Sequence, residues 1–230
     1  MPVVLLLGFV LWHDRKRPEP PMMLLKAFVC GVVSLGILHL LWRYIPGYYA
    51  WIKDSGGNVL GELKFAFFYA ALPEEFAKLL MLWILVSHST YFDEHFDGIV
   101  YAVFVGMGFA ATENIMYVYN SSDPEDTILL RGLLAVPAHF DFAVVMGYFY
   151  TMVKFSRVTG FKRVGLWFGI LLLPVLMHGI YDGLLFVRDL EYVSKPVFII
   201  LTYAHYIFSI LMFLYANRLI YDHLENDDIL

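Results

Sequence analysis

Six runs of apolar residues, each long enough to cross a bilayer, fix the solvent in which this chain must fold. They are Met22 to Trp42, Leu63 to Ser87, Asp97 to Tyr119, Leu129 to Val153, Val164 to Val187 and Val197 to Asn217. A hydrocarbon core takes roughly 20 residues of helix, and backbone amides inside it have no water to bond, so each run must close its hydrogen bonds within itself. A seventh run, Met1 to Trp12, rises only about 18 Å as a helix. It reads as a partial span or as the end of a longer apolar run, and the second is the expectation. A signal peptide is disfavoured because the basic group follows the run instead of preceding it. With 60% hydrophobic and 16% charged residues and a mean hydropathy of +0.66, the chain is predicted to be all-α. The architecture expected is a polytopic membrane helix bundle of about seven transmembrane helices, the first short.

The loops are short and no internal repeat is evident, so residues 1–230 read as one domain. Its chemistry-bearing motifs fall within residues 73–182, and residues 218–230 form an acidic tail read as a solvated end. Lysine and arginine concentrate in two short loops, HDRKRPEPP and KFSRVTGFKR, which places both in the cytoplasm and the N-terminus outside. The longer connections then lie outside: Ile45 to Glu62, containing KDSGGN, and Asn120 to Ile128, containing SSDPEDT. Both read as solvated connectors that could also rim an access path, and the second is expected to end one helix and cap the next. A net charge of −5 without a long basic run offers no footprint for nucleic acid or for a polybasic lipid anchor. Cys30 is the single cysteine, which excludes an internal disulfide and a thiolate metal cluster and leaves it an apolar filler. His88, Asp93, Glu94 and His95 share one cytoplasmic loop and read as solvated rather than as a metal site.

A charge at the centre of a spanning helix costs about 3 kcal/mol, so ionisable residues inside the runs face the bundle interior and have a partner or a task. Glu74, Glu75 and Lys78 stand in ALPEEFAKLL; Glu113 and Asn114 in GFAATEN; His139 and Asp141 in PAHFDF; His178 and Asp182 in HGIYD. Lys78 lies on the same helical face as both glutamates and can neutralise one. The other carboxylate is then left unpaired by local sequence and suits a general base. Glu113 and Asn114 also suit an interhelical clasp, and His178 with Asp182 suits an imidazole oriented by a carboxylate. Asp141 is about 200° around the helix from His139 and is expected to point away from it.

Depth joins these residues. Glu75, Glu113, His139 and His178 lie roughly 6 to 12 residues from the outer ends of their runs, or roughly 9 to 18 Å. Four consecutive antiparallel helices therefore bring their ionisable groups to one layer, in the outer half of the membrane. Two carboxylates and two imidazoles at one depth point to hydrolysis within the bilayer. A carboxylate takes a proton from attacking water, a histidine or Asn114 stabilises the oxyanion, and another imidazole protonates the leaving amine. The same atoms suit zinc, with Glu113, His139 and His178 as the three-ligand set, although no HExxH signature is present. A proton-coupled transporter also buries such groups, usually with internal repeats, and a non-catalytic scaffold could keep them for helix association.

PEEFAK at Pro73 to Lys78, DGIVYA at Asp97 to Ala102, GFAATEN at Gly108 to Asn114, PAHF, and HGIYD at His178 to Asp182 closely resemble, in order and spacing, the PrsW family of intramembrane proteases. The resemblance runs from the HDRKRPEP turn through the sixth span. It implies an intramembrane endopeptidase in a prokaryotic cell membrane, with Glu74, Glu75, Glu113, His139 and His178 as catalytic residues and Lys78, Asn114 and Asp182 supporting them; together with the shared depth, the expectation is that Glu75 is the water-activating base and Glu74 pairs with Lys78. It implies a single-pass membrane substrate such as an anti-sigma factor, first cut on its extracytoplasmic side, in agreement with a layer in the outer half. The family is related to the type II CAAX prenyl endopeptidases and is described as metalloprotease-like, with a metal-free, glutamate-activated water as the alternative to zinc. Two features depart from it: the run HFDF, where a small or hydroxylated residue is usual near the histidine, and the short first span, which leaves every motif intact.

A prenyl endopeptidase would open its site to the cytoplasm, so topology separates the two activities. In a Cys30-free background, single cysteines at Arg17 and Arg157 should react with a membrane-impermeant maleimide only from the cytoplasmic side, and one at Asp123 only from outside. The reverse pattern would invert the orientation.

Overall fold

The computed structural model describes residues 1–53 and 57–227, which form helices joined by short turns, with no strand among the described residues. The helices are α1 (Pro2–His13), α2 (Pro21–Tyr44), α3 (Pro46–Lys53), α4 (residues 59–86), α5 (His95–Asn120), α6 (Pro124–Phe155), α7 (Gly160–Arg188) and α8 (Lys195–Asp227). Among the described residues, five of them, α2, α5, α6, α7 and α8, are each long and apolar enough to cross a membrane, which makes this a multi-pass membrane protein. The other two predicted spans take different forms. The first stays a short helix, α1, packed against α5 and α6 with Val10 buried. The third is a continuous helical run whose middle, Phe65–Ala71, is a π-helix between α-helical Val59–Lys64 and Leu72–Val86. Of the KDSGGN connection, Asp54 to Gly56 lie outside the described residues.

Helix α5 is the axis of the bundle. Its residues from Phe96 to Ala110 are buried without a break, as a helix apolar on every side requires. It packs along α2 on one flank and α6 on the other, with α1, α4 and α8 also touching it. Apolar side chains meet lipid as readily as each other, so close backbone approach supplies much of the attraction. A Cβ on Gly31 of α2 would overlap the Val105 carbonyl oxygen of α5, and one on Gly147 of α6 would overlap the Gly98 carbonyl oxygen.

Polar groups fix the end of the bundle at which α5 begins. Glu94 and Asp97 form a capping box at the start of α5, where Asp97 accepts from the amides of Asp93 (2.9 Å) and Glu94 (2.7 Å). Arg17 donates to Glu94 at 2.5 Å. The HDRKRPEP turn docks through Glu19, which is buried and accepts from the Tyr101 hydroxyl. Burial, offset in part by that hydroxyl, pushes the Glu19 carboxyl up to about 8. At the opposite end, SSDPEDT caps α6 as expected, with the Asp123 side chain accepting from the Asp126 amide at 3.3 Å.

The acidic tail is largely helix. Residues 218–227 continue α8 because Ile220 and His223 are buried, the His223 ring stacks on Tyr148 at 4.2 Å, and the Tyr148 hydroxyl donates to Asp222 at 2.7 Å. Residues 228–230 lie outside the described residues.

Three helices carry a proline close before the residues of interest: Pro73 in α4, Pro137 in α6 and Pro174 in α7. In α4 and α6 a π segment, Phe65–Ala71 or Arg131–Ala135, immediately precedes it. Proline has no N–H, so in the π register Pro73 leaves the Phe68 carbonyl without its backbone donor. The Tyr48 hydroxyl of α3 takes that place, donating to Phe68 O at 2.5 Å.

Gly31→Ala and Gly147→Ala should each destabilise the fold by about 1–3 kcal/mol through overpacking. Gly36→Ala, with nothing within 4 Å of the new Cβ, should be near neutral. Thermal unfolding in detergent measures all three.

Candidate active site

The prolines of α4, α6 and α7 bring Glu74, Glu75, His139 and His178 together at a cavity of about 670 Å³. Glu74, Glu113, His139, His178 and Asp182 are on its wall, so the four consecutive helices α4, α5, α6 and α7 converge on one cavity. Glu75 stands behind the wall, fully buried.

Lys78 is the hub of the cluster. Its ammonium lies 2.8 Å from Glu75 Oε1, 3.1 Å from His139 Nδ1 and 3.9 Å from Glu74 Oε2, and 4.1 Å above the Phe109 ring. The expected pairing is therefore reversed: Lys78 holds Glu75, and Glu74 is the less engaged carboxylate. The reason is rotational. Glu75 points across to α7, where its Oε1 also meets His178 Nδ1 at 2.9 Å, and a single oxygen thus serves both Lys78 and His178.

The protonation pattern follows from the donors. Lysine can only donate, so His139 Nδ1 accepts, and the ring carries its hydrogen on Nε2, which donates to Glu113 Oε2 at 2.9 Å. His178 has a carboxylate oxygen at each nitrogen: Glu75 at Nδ1 and Asp182 Oδ2 at 3.2 Å from Nε2. The two imidazoles meet edge to face, 5.4 Å apart at 90°, and Phe142 stacks on His178 at 4.8 Å.

Glu113 is held from its far side by Arg131, a residue that the sequence analysis did not single out. Arg131 donates to Glu113 Oε2 at 2.6 Å and to Asn114 Oδ1 at 2.8 Å, while its guanidinium stacks on Tyr117 at 3.7 Å. The available signal was that Arg131 is a cation within the predicted fifth span. Asn114 accepts from Arg131 through Oδ1 and donates from Nδ2 to the Ala110 carbonyl, which makes it part of the clasp around Glu113. Asp141 is buried and stands off the cavity wall, pointing away from His139 as expected. His205 of α8, which sequence reasoning passed over, is on the wall.

The donor atoms that converge are those of Glu74, His139 and His178, all within 4.8 Å of one another. Glu113 stands beside this group, with its carboxylate engaged by both Arg131 and His139. Glu74 Oε2 is buried without a hydrogen-bond partner, and two imidazoles with one carboxylate are donors suited to zinc, so these residues fit a metal ion once one nitrogen of each imidazole gives up its present contact, to Lys78 or Glu113 for His139 and to Asp182 for His178.

A helical bundle that buries carboxylates and imidazoles around a cavity within the membrane is built as an intramembrane hydrolase. The family model described as PrsW family intramembrane metalloprotease matches residues 19–216, and the chain belongs to that family of intramembrane proteases. It is similar to proteins named Protease PrsW from Geobacillus kaustophilus (34% identical over 82% of this chain and 78% of the relative), Clostridioides difficile (30%, over 82% and 77%) and Bacillus subtilis (32%, over 80% and 79%). No solved structure gives a significant match.

Removing Arg131 frees Glu113 and Asn114 together. Arg131→Ala should lower cleavage of a membrane reporter by about 10- to 100-fold, a typical cost of losing an outer supporting contact. Arg131→Lys should recover little of it, because an ammonium cannot bond both partners and stack on Tyr117.

Proposed function

We propose that Glu74 is the carboxylate that activates water, and that the substrate is a single-pass membrane protein, such as an anti-sigma factor, cleaved on its extracytoplasmic side. One observation carries the assignment to Glu74. Its Oε2 is buried on the cavity wall without a hydrogen-bond partner, 3.9 Å from His178 Nε2. Glu75 also has one unbonded oxygen, but its residue is sealed behind the wall and its other oxygen holds both Lys78 and His178. The depth of the layer in the outer half supports extracytoplasmic cleavage, as does the resemblance in the sequence motifs.

Glu74 takes a proton from water as the water oxygen bonds to the scissile carbonyl carbon. His178, oriented by Glu75, turns its Nε2–H from Asp182 to the developing oxyanion, while His139 Nε2–H stays on Glu113 and holds that carboxylate at the wall. When the carbon–nitrogen bond breaks, Glu74 returns its proton to the leaving amine. Lys78 keeps Glu75 and His139 in place throughout, and Arg131 does the same for Glu113.

Zinc or a similar divalent ion would be held by Glu74, His139 and His178, and when bound it would supply Lewis-acid polarisation of the carbonyl and of water. Glu75 at His178 Nδ1 is then the carboxylate that orients an imidazole ligand. Elemental analysis of purified protein, before and after chelation, reads this directly. About one ion per chain, lost in His178→Ala, supports the metal site; a fully active protein free of metal removes it.

Glu74→Gln should lower cleavage by about 10²- to 10⁴-fold with an unchanged unfolding midpoint. Glu75→Gln should instead lower the midpoint, because it strips Lys78 of its nearest carboxylate inside the bundle. Normal cleavage by Glu74→Gln would overturn the assignment.

A further inference from the structure

Of the buried imidazoles and charged groups on the cavity wall, His205 is the one that the chemistry above does not use. It lies on α8, 1% exposed, beside Tyr181, whose ring is 4.4 Å away, and Tyr206 at 5.9 Å. Its backbone is satisfied, since the His205 carbonyl accepts from the Ser209 hydroxyl at 2.9 Å. Its side chain is not: neither Nδ1 nor Nε2 has a hydrogen-bond partner. Phenylalanine would fill the same aromatic niche with no polar atom to satisfy, so packing alone does not account for an imidazole.

A transmembrane substrate supplies what His205 lacks. A peptide bond inside a helix has its N–H and C=O bonded along the chain and its carbonyl carbon shielded by neighbouring turns. Hydrolysis therefore requires the segment to unwind, which exposes backbone groups where no bulk water can satisfy them. A neutral imidazole carries one donor and one acceptor, the complement of a peptide unit. Helix α8 is also the least embedded of the five long helices, with 11% of its apolar window buried against 33% or more for the others. It is thus the wall best able to shift as a substrate enters and to bring the ring nitrogens to bear.

We propose that His205 is a substrate-binding residue that hydrogen-bonds the backbone of a transmembrane segment unwound in the cavity. The inference rests on the protease reading above, but its test is a binding measurement and needs no turnover. A fluorescent single-pass peptide is titrated into detergent-purified Glu74→Gln protein and into the same protein carrying His205→Phe. Loss of one hydrogen bond predicts about tenfold weaker binding, with an unfolding midpoint unchanged or raised. His205→Asn, which keeps a donor and an acceptor, should recover most of the affinity, and it serves as the test if the phenylalanine variant fails to fold. Replacing single peptide bonds of the ligand by esters should weaken binding to the protein that retains His205 at one position and have no effect there on the His205→Phe variant. Equal affinity of these two proteins for the peptide, or ester effects that are the same in both, would overturn the proposal. Cleavage by Glu74→Gln would instead count against the water-activating carboxylate and leave the binding result standing.

Discussion

The site depends on a single buried ammonium. Lys78 sits among Glu75, Glu74 and His139 with its side chain almost wholly excluded from solvent. A charge so placed is tolerable only if its partners are close and well aligned, and removal of one partner is more costly than the pair is stabilising. Lys78 therefore acts as a geometric constraint. It holds Glu75 within α4 so that this carboxylate meets His178 of α7, and it fixes both the tautomer of His139 and the registry of α6 through Nδ1. From there the order passes outward, to Glu113 through His139 Nε2 and to Arg131 and Asn114 beyond it.

The helices that hold these groups are locally distorted, and the distortions have chemical causes. Proline removes a backbone donor, and the π segments of α4 and α6 accommodate Pro73 and Pro137 without ending the helix. In lipid a carbonyl left over by such a shift needs a partner, and the Tyr48 hydroxyl is that partner for Phe68. A short helix outside the spans thus helps to hold the segment that presents the glutamates. Close glycine contacts of α5 with α2 and α6 provide the rigid centre against which α4 and α7 are set.

A protease inside a membrane has to keep a charged site out of lipid while admitting a largely apolar chain. The cavity combines both demands. Its polar floor is Glu74, His139 and His178, and aromatic residues, among them Trp42, Tyr69 and Phe65 stacked in sequence, line the flank. Stacked rings give a passing segment apolar surface without unsatisfied polar atoms of their own faces.

Hydropathy and axial depth were legible from the residues alone, because a helix rises 1.5 Å per residue whatever surrounds it. The apolar runs marked the helices, and counting inward placed Glu75, Glu113, His139 and His178 in one layer. The motifs PEEFAK, GFAATEN and HGIYD were enough to indicate the family. What the sequence left open was rotation and lateral pairing. Each π turn adds a residue to a turn and so shifts the phase of everything after it by about 100°. Which of Glu74 and Glu75 faces the cavity therefore could not be read from the helical phase, and i,i+3 and i,i+4 spacing offers either one to Lys78. Arg131 and His205 were hidden for a related reason: their partners or neighbours lie on other helices. Tertiary packing alone decided that Glu75 is locked behind the wall and that Glu74 is open to the cavity, because the close approach of α4, α6 and α7 sets which side chains meet.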